Sequence, residues 1–320
     1  MKIRVLGSAA GGGFPQWNCN APLSRSVREK KPGFLVRTQS SMAASADGQS
    51  WVVFNASPDI REQIAATPDL QPHADGPLRH TPIKAVVLTN ADVDHIAGLL
   101  TLRERESFIL YATSRVLQTL SENSIFNVLN PEVVERRELP LQGITELEGP
   151  DGPIGLSLET FSVSGKVALF LENEADDNFG TADGDTIGIS LRQTSAQTAS
   201  EPTKPEKDKT LYYVPGCAGV DDALRHRISG GACLMFDGTV FHDTEMADTG
   251  VGAKTGSRMG HMAISGKNGT LAALQDVALG RRIFVHINNT NPILDPTSDE
   301  AKTVENAGWE IGYDGMELSL

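Results

Sequence analysis

Short apolar runs rich in β-branched and aromatic residues recur along the 320-residue chain. Each run is closed by a turn signal, a pattern that is typical of β-strands. The runs are Ile3–Leu6, Trp51–Phe54, Ala85–Leu88, Phe108–Tyr111, Leu156–Val163, Val167–Leu171, Thr186–Leu191, Leu211–Val214, Cys233–Phe236 and Ile283–Ile287. Helical patterns occur between some of them, over His95–Arg105, Thr113–Leu120, Val220–Ile228, Leu271–Leu279 and Ser298–Ala307. Because strands outnumber helices, we expect a layered α/β domain rather than a regularly alternating one.

Two polar segments interrupt this pattern. Thr194–Thr210 has almost nothing to bury, so we expect a flexible insert within a single domain that spans residues 1–320. Glu172–Asp185 is acidic but lacks the spacing of an EF-hand calcium loop, so a solvated loop is the simpler interpretation.

Charge and composition narrow the classes of partner. The formal net charge is -13, which argues against nucleic acid and anionic membranes, because both require clustered basic residues. The residues after Met1 form neither a signal-peptide core nor a spanning helix, so we expect a cytoplasmic protein with no membrane association. A homodimer is compatible with the sequence.

Three of the apolar runs lead to residues that can bind a metal. Ala85–Leu88 is followed by Asn90, Asp92, Asp94 and His95. Cys233–Phe236 is followed by Asp237, and Ile283–Ile287 contains His286 near its end. Carboxylates and imidazoles at separate strand ends can converge while loops leave coordination positions open. The pattern therefore predicts a metal site, with more oxygen ligands than zinc sites usually have.

The order of these residues resembles the metallo-β-lactamase superfamily, whose hallmark is H-x-H-x-D-H followed by a bridging Asp and a last His. Longer motifs resemble one branch, the coenzyme PQQ synthesis protein B family. They are L-G-S-A-A-G-G-G-F-P-Q-W-N-C-N, R-T-Q-S-S, N-A-S-P-D-I, G-L-L-T-L-R-E and V-H-I-N-N-T-N-P-I-L, spread over essentially the whole chain. The resemblance implies an αββα sandwich, in which two mixed β-sheets are flanked by helices.

The resemblance also implies one metal site instead of two. Asn90 and Asp92 stand where hydrolases of the superfamily place two histidines of the first site, and Ser164 lies roughly where a third would be. The ligands of the second site are retained, namely Asp94, His95, Asp237 and His286. Two histidines with carboxylates and open positions are the ligand set of non-haem iron oxygenases. One divalent metal is therefore expected, Fe(II) first, with Mn or Zn as alternatives.

Further roles follow from the same motifs. We expect catalytic roles for His261 and Asp92, with a metal-adjacent or substrate-orienting role as the alternative for His261. The expected substrate-binding residues are Asn90, Asn288, Asn289, Asn291, Ser57 and Arg37, with Lys166 as another carboxylate partner.

The Cys19 loop departs from the family pattern. Many members carry C-x-C-x-x-C after W-N, whereas here Cys19 is followed by Ala21 and Ser24. A structural zinc at this loop is doubtful, because one cysteine cannot supply the usual three or four ligands. Packing of Phe14, Pro15 and Trp17 is the expected substitute.

The resemblance implies a role in the biosynthesis of pyrroloquinoline quinone (PQQ). We expect an iron-dependent oxygenase that uses dioxygen to hydroxylate the tyrosine-derived ring of a Glu–Tyr cross-linked precursor. A single metal can hold dioxygen beside a substrate oxygen, whereas a bridging-hydroxide nucleophile needs two metals. The alternatives are a carrier for PQQ or its precursor and a mononuclear metallo-hydrolase.

Overall fold

Two β-sheets of seven strands each form the centre of the fold in a computed structural model that describes residues 1–173, 175–194 and 209–320. The first sheet contains β1 (Lys2–Gly7), β2 (Ser41–Ser45), β3 (Trp51–Phe54), β4 (Ile83–Val87), β5 (Phe108–Ala112), β6 (Val134–Glu138) and β14 (Glu317–Ser319), in the order β14-β1-β2-β3-β4-β5-β6. The second contains β7 (Ile144–Gly149), β8 (Gly152–Ser162), β9 (Ile187–Gln193), β10 (Leu211–Val214), β11 (Gly231–Asp237), β12 (Leu279–Val285) and β13 (Glu310–Ile311), in the order β13-β12-β11-β10-β9-β8-β7.

Both sheets are mixed. Strands β3 to β6 pair in parallel in the first sheet, as do β10 to β13 in the second, and the other neighbours are antiparallel. Parallel strands end at the same edge of a sheet, so the residues that follow β11 and β12 lie side by side.

Helices cover the outer faces of the sheets. They are α1 (Pro22–Arg28), α2 (Ile60–Ala66), α3 (Val93–Ile96), α4 (Ser114–Glu122), α5 (Asp222–Ile228), α6 (Glu245–Asp248), α7 (Gly256–Met259), α8 (Thr270–Ala273) and α9 (Asp299–Asn306). Short 3₁₀ helices occur at Pro68–Leu70, Ala97–Arg103, Ser124–Val128, Leu169–Leu171 and Pro292–Leu294. Within the described ranges, no helix has the length and apolar character needed to cross a membrane.

Alternation along the central strands builds three apolar layers. Val52 and Phe54 of β3 pack between the two sheets, while Trp51 and Val53 of the same strand pack against the helices outside the first sheet. A third buried cluster, which includes Phe236 of β11, lies outside the second sheet. The αββα sandwich implied by the resemblance is thereby confirmed.

Two of the predicted elements are wrong. Val167–Leu171 is not a strand: Val167 is buried, but Leu169 is 59% exposed and begins a 3₁₀ turn. The predicted helix Leu271–Leu279 is limited to α8, and Leu279 already belongs to β12. Most of the predicted flexible insert, residues 195–208, lies outside the described residues, so it stays a prediction, as does the single domain.

Candidate metal centre

The segments that follow β4, β11 and β12 meet beside one cavity. Asp94 and His95 lie in α3, Asp237 is the last residue of β11, and His286 directly follows β12. Asp237 pairs with Val285 in the parallel register, which places His286 one residue beyond it. The structure therefore brings the four predicted metal ligands together; their role as ligands stays a prediction.

Asp94, His95 and His286 form a group whose ligand atoms all lie within 4.8 Å of one another. His286 Nε2 is 3.1 Å from Asp94 Oδ2, and His95 Nε2 is 3.8 Å from the same oxygen. Ligand atoms that surround one metal at bond lengths of about 2.0–2.2 Å are roughly 3.0–3.6 Å apart, close to these separations.

His95 carries the clearest sign of a metal ligand. Its side chain is 1% exposed, and its Nε2 has no hydrogen-bond partner among the described residues. A buried polar atom without a partner is rare in folded proteins and calls for an explanation such as a bound ion. Two imidazoles and one carboxylate fit a divalent metal, and Nε2 of His95 would be one of its ligand atoms.

Asn90 fixes which nitrogen of His95 is available. Asn90 Oδ1 accepts the backbone N–H of Asp92 at 3.0 Å, so the amide oxygen is the atom that faces His95. His95 Nδ1 lies 2.6 Å from this oxygen and must donate to it, which leaves the Nε2 lone pair directed toward Asp94. Asn90 also lines the cavity, and its side chain orients His95, one of the predicted ligands.

Asp237 is buried in a set of hydrogen bonds. Its Oδ1 accepts from the backbone N–H and the hydroxyl of Thr239, and its Oδ2 accepts from the backbone N–H of Cys217. His261 Nδ1 lies 2.6 Å from Oδ2. Burial disfavours both the Asp237 carboxylate and the protonated His261 imidazole. The attraction between these two groups outweighs burial, so it lowers the pKa of Asp237 and raises the pKa of His261.

His261 also belongs to a second group of possible ligands. Asp237, His261 and His286 offer ligand atoms within 4.8 Å of one another, and the His261 ring stacks on His286 with a centroid distance of 5.0 Å. Thr239 Oγ1 contacts Nδ1 of His286 at 2.8 Å, which leaves Nε2 of His286 toward Asp94. His286 is therefore shared between the two groups.

The pKa values of Asp92 and Asp94 shift in opposite directions, although the two residues are only two positions apart. Burial and the neighbouring Asp94 raise the pKa of Asp92 to about 6, and the backbone N–H of Leu169 hydrogen-bonds its carboxylate. Burial acts in the same direction on Asp94, but His95 and His286 outweigh it and lower the pKa of Asp94. Leu169 is in the segment wrongly predicted as a strand, which forms a wall of the site.

The cavity beside the centre has a volume of about 250 Å³. The lining includes the side chains around the predicted metal site, namely Asn90, Asp92, Asp94, His261, His286 and Asn288. It also includes a second, partly cationic set, namely Lys166, Leu169, Glu172, Lys254, Arg258 and Met259. Ser164 is absent from the lining, whereas the next residue, Gly165, contributes to it.

Four predicted substrate contacts do not line this cavity, and their role in substrate binding stays a prediction. Arg37 is buried, donating to Ser8 Oγ at 3.1 Å and to the backbone oxygen of Gly312. Asn291 donates to the backbone oxygen of Gly238 and caps the turn that begins at Pro292. The side chains of both residues therefore hold together loops that are distant in the chain.

Ser57 and Asn289 also have structural contacts. Ser57 Oγ donates to Gln63 at 3.1 Å, and Asn289 Nδ2 donates to Gln16 at 2.5 Å. The residue before Ser57, Ala56, donates its N–H to the backbone oxygen of His95 and accepts the N–H of Gly98. The N-A-S-P-D-I motif thus holds the chain around α3 in place. Of the predicted substrate-binding residues, Asn90 and Asn288 remain at the cavity.

The acidic segment contributes to the site in a way the sequence did not reveal. The Glu172 carboxylate accepts hydrogen bonds from Lys166 and from Arg258. The distance between the Arg258 guanidinium and Glu172 Oε2 is 2.8 Å. Both cations lie over the ring of Phe179, 4.2 Å and 4.1 Å from its centroid. The solvated-loop interpretation is therefore wrong for Glu172 and Phe179. The only sequence signal was the position of Arg258, three residues before His261.

The Cys19 loop is held by a guanidinium group. Arg28 donates to the backbone oxygen of Cys19 and, at 2.6 Å, to that of Gln16. Phe14 is buried as predicted, but Trp17 is 86% exposed and does not pack against the loop. The prediction that Trp17 would hold the loop is wrong.

His286 adopts an unusual backbone conformation. Its φ of 57° lies in the left-handed region, which non-glycine residues seldom enter. Such conformations tend to be retained at functional sites, where the surroundings hold them in place. Here Thr239 Oγ1 lies 2.8 Å from Nδ1 of the His286 ring and 3.0 Å from the His286 backbone oxygen.

Comparison with known proteins agrees with this architecture. The model of the β-lactamase superfamily domain matches residues 50–287. Coenzyme PQQ synthesis protein B of Methylobacterium nodulans is 49% identical to this chain, and that of Xanthomonas oryzae pv. oryzae is 45% identical, each over the full length of both chains. The chain belongs to the coenzyme PQQ synthesis protein B family.

A solved structure of this family aligns over the whole chain. Zn²⁺-bound PqqB from Methylobacterium extorquens has a TM-score of 0.90 and is 45% identical, with full coverage of both chains. A diphosphatase of the PhnP family shares the fold at a TM-score of 0.64 and 17% identity. The fold and the donor set of Asp94, His95 and His286 fit a divalent metal.

Proposed function

We propose that this protein acts in PQQ biosynthesis as an iron-dependent oxygenase that hydroxylates the tyrosine-derived ring of a Glu–Tyr cross-linked precursor. The observation that carries the proposal is the donor set of Asp94, His95 and His286 beside the cavity. Two imidazoles and a carboxylate with open positions are the ligand set of non-haem Fe(II) oxygenases. Relatives named for PQQ synthesis support the pathway.

The side chains of the lost site also favour oxygen chemistry over hydrolysis. Asn90 has no imidazole, and its oxygen is occupied by His95 and by the N–H of Asp92. A bridging hydroxide, the usual nucleophile of two-metal hydrolases, requires a second metal at this position. Asp237 completes the proposed ligand set through Oδ2, the oxygen that also faces His261.

Bound Fe(II) would supply the activation of dioxygen. Hydroxylation converts a ring C–H and O₂ into a ring C–OH and water, which consumes two electrons and two protons from a reductant of the ascorbate class. The protein residues would hold the metal and orient the ring. His261, held by Asp237, and Asp92 both line the cavity. His261 would move a proton at the substrate's phenol oxygen, with Asp92 as a second acid–base group.

Anaerobic reconstitution tests the proposal. The protein is loaded with Fe(II), mixed with the diamino-acid precursor and ascorbate, and then exposed to oxygen. The proposal expects oxygen uptake and a product that is heavier by one oxygen atom. Oxygen-independent hydrolysis of a model ester with zinc but not with iron would contradict it in favour of a mononuclear hydrolase. Tight PQQ binding without turnover under any metal would contradict it in favour of a carrier.

A further inference from the structure

Lys254 differs from the other cations on the cavity wall. It is half-buried and lies two residues before α7. Across residues 1–173, 175–194 and 209–320, its ammonium group has no hydrogen bond or ion pair. An ammonium group that lines a cavity and has no counter-charge there is available to pair with a ligand carboxylate.

Lys166 and Arg258, in contrast, already have a carboxylate partner. Lys166 donates to Glu172 and, at 3.1 Å, to the backbone oxygen of Arg258. Arg258 donates hydrogen bonds to both carboxylate oxygens of Glu172, at 3.2 Å and 2.8 Å. Phe179 lies against both cations. Lys166, which the sequence offered as a carboxylate partner, is therefore committed to the protein's own Glu172.

The charges of the cavity lining define what a ligand must look like. Asp92 and Asp94 repel free anions, whereas Lys254 lines the same cavity as a cation that is unpaired in the described part of the chain. In a chain of net charge -13, Lys254 attracts an anionic group of a ligand to this place. A ligand that presents metal-binding atoms and a separate carboxylate matches this lining.

We infer that Lys254 binds a carboxylate of the ligand and makes the cavity selective for small polycarboxylates. The inference rests on the proposed function for the identity of that ligand, since a Glu–Tyr cross-linked diamino acid carries three carboxylates. Lys254 would act on the binding and orientation of the ligand and not on the hydrogen bonds around Asp94, His95 and His286.

Binding measurements without turnover test the inference. The zinc-loaded protein is titrated anaerobically with PQQ, a tricarboxylate, and with its trimethyl ester. We expect Lys254→Gln to weaken PQQ binding about tenfold or more, as loss of one charge-assisted hydrogen bond predicts, and to leave binding of the ester unchanged. Lys254→Arg should restore most of the affinity. Lys267→Gln is the matched control, since Lys267 is exposed and does not line the cavity.

Three results would overturn the inference. They are wild-type affinity for PQQ in Lys254→Gln, an equal loss for PQQ and its ester, and failure of the wild-type protein to bind PQQ at all. Metal content is measured in each variant, so that a loss of zinc is not mistaken for a loss of ligand binding. If charge-selective binding depends on Lys254 but the iron-loaded protein takes up no oxygen, the oxygenase proposal fails and the carboxylate site stands.

Discussion

Asn90 stands where the superfamily pattern has a histidine, and it hydrogen-bonds His95, a predicted metal ligand. A histidine at this position could bind a metal itself, whereas the amide oxygen accepts the Nδ1 proton of His95 at 2.6 Å. His95 is then held in the tautomer whose Nε2 has a free lone pair. The sequence showed that an imidazole was missing, but it could not show that the replacement faces His95.

Replacement of Asn90 tests this orienting role. Asn90→Leu should lower metal affinity about 10- to 100-fold, the usual cost of losing a group that orients a ligand. Asn90→Asp keeps an acceptor for His95 and should retain the affinity. Metal titration of the purified variants measures the effect, and equal affinity in wild type and Asn90→Leu would contradict the assignment.

His286 is a predicted metal ligand with an unfavourable backbone conformation. His286→Ala and His286→Gly should both abolish metal binding at the centre while the fold is kept. Because φ is 57° at this position, the glycine variant should be more stable than the alanine variant by about 1 kcal/mol. Urea unfolding of the metal-free proteins measures the difference. Retained metal binding in either variant would remove His286 from the ligand set.

At the scale of elements, apolar runs predicted strands well where both faces of the strand are buried. Strands β3 and β11 are examples, because alternate residues pack into layers on either side of the sheet. Val167–Leu171 has the same composition, yet it forms a wall of the cavity and donates a backbone N–H to Asp92. Composition cannot separate these cases, since the difference lies in what packs beside the run.

Short polar strands were missed for a related reason. Strand β6 (Val134–Glu138) reads V-E-R-R-E and has no apolar run, but it pairs in parallel with β5 at the edge of the first sheet. Its position in the sheet, rather than its own side chains, decides its conformation. Pairing with a distant segment is not visible in a local pattern.

Arg28 of α1 should control how often the Cys19 loop opens. Arg28→Ala removes the hydrogen bonds to the backbone oxygens of Cys19 and Gln16, so labelling of the Cys19 thiol should accelerate by roughly tenfold. Mass spectrometry locates the label, and Cys217 and Cys233 should remain slow because both are fully buried. Arg61→Ala, at an exposed arginine of α2, is the control variant. An unchanged Cys19 rate would show that other contacts hold the loop.

Glu245 of α6 should make stability depend on pH. Its carboxylate accepts the N–H groups of Phe241 and His242 and the hydroxyl of Thr290, and burial raises its pKa from 4.5 to about 7. Between these values the folded state keeps a proton that the unfolded state has released. Stability therefore falls as pH rises through this window and levels off above it. At about 1.4 kcal/mol per pKa unit, the decline is on the order of 3 kcal/mol.

Glu245→Gln isolates this contribution. The amide can keep the contacts to the backbone and to Thr290 but does not titrate. The free energy of unfolding of the variant should therefore not show the fall with rising pH that Glu245 causes. The free energy of unfolding of both proteins is measured by urea denaturation from pH 5 to about 8. Identical slopes in the two proteins would contradict the prediction.

At the scale of the whole molecule, the four predicted ligands come together because they follow strands of one fold. The parallel pairing of β11 and β12 sets Asp237 beside His286, and α3 brings Asp94 within 3.1 Å of the latter. The cationic part of the cavity lining could not be predicted, since it depends on loops far apart in the chain. Lys254 and Glu172 meet one cavity only after the chain has folded.

The central claim is that this fold uses one metal to insert oxygen from O₂. The most direct measurement is the origin of the oxygen atom in the product of the iron-loaded protein, the diamino-acid precursor and ascorbate. With ¹⁸O₂ in ordinary water, the account predicts one heavy oxygen atom in the hydroxylated ring, and with ordinary O₂ in ¹⁸O-labelled water it predicts none. A product whose new oxygen comes from water, or the absence of a hydroxylated product under ¹⁸O₂, would contradict it.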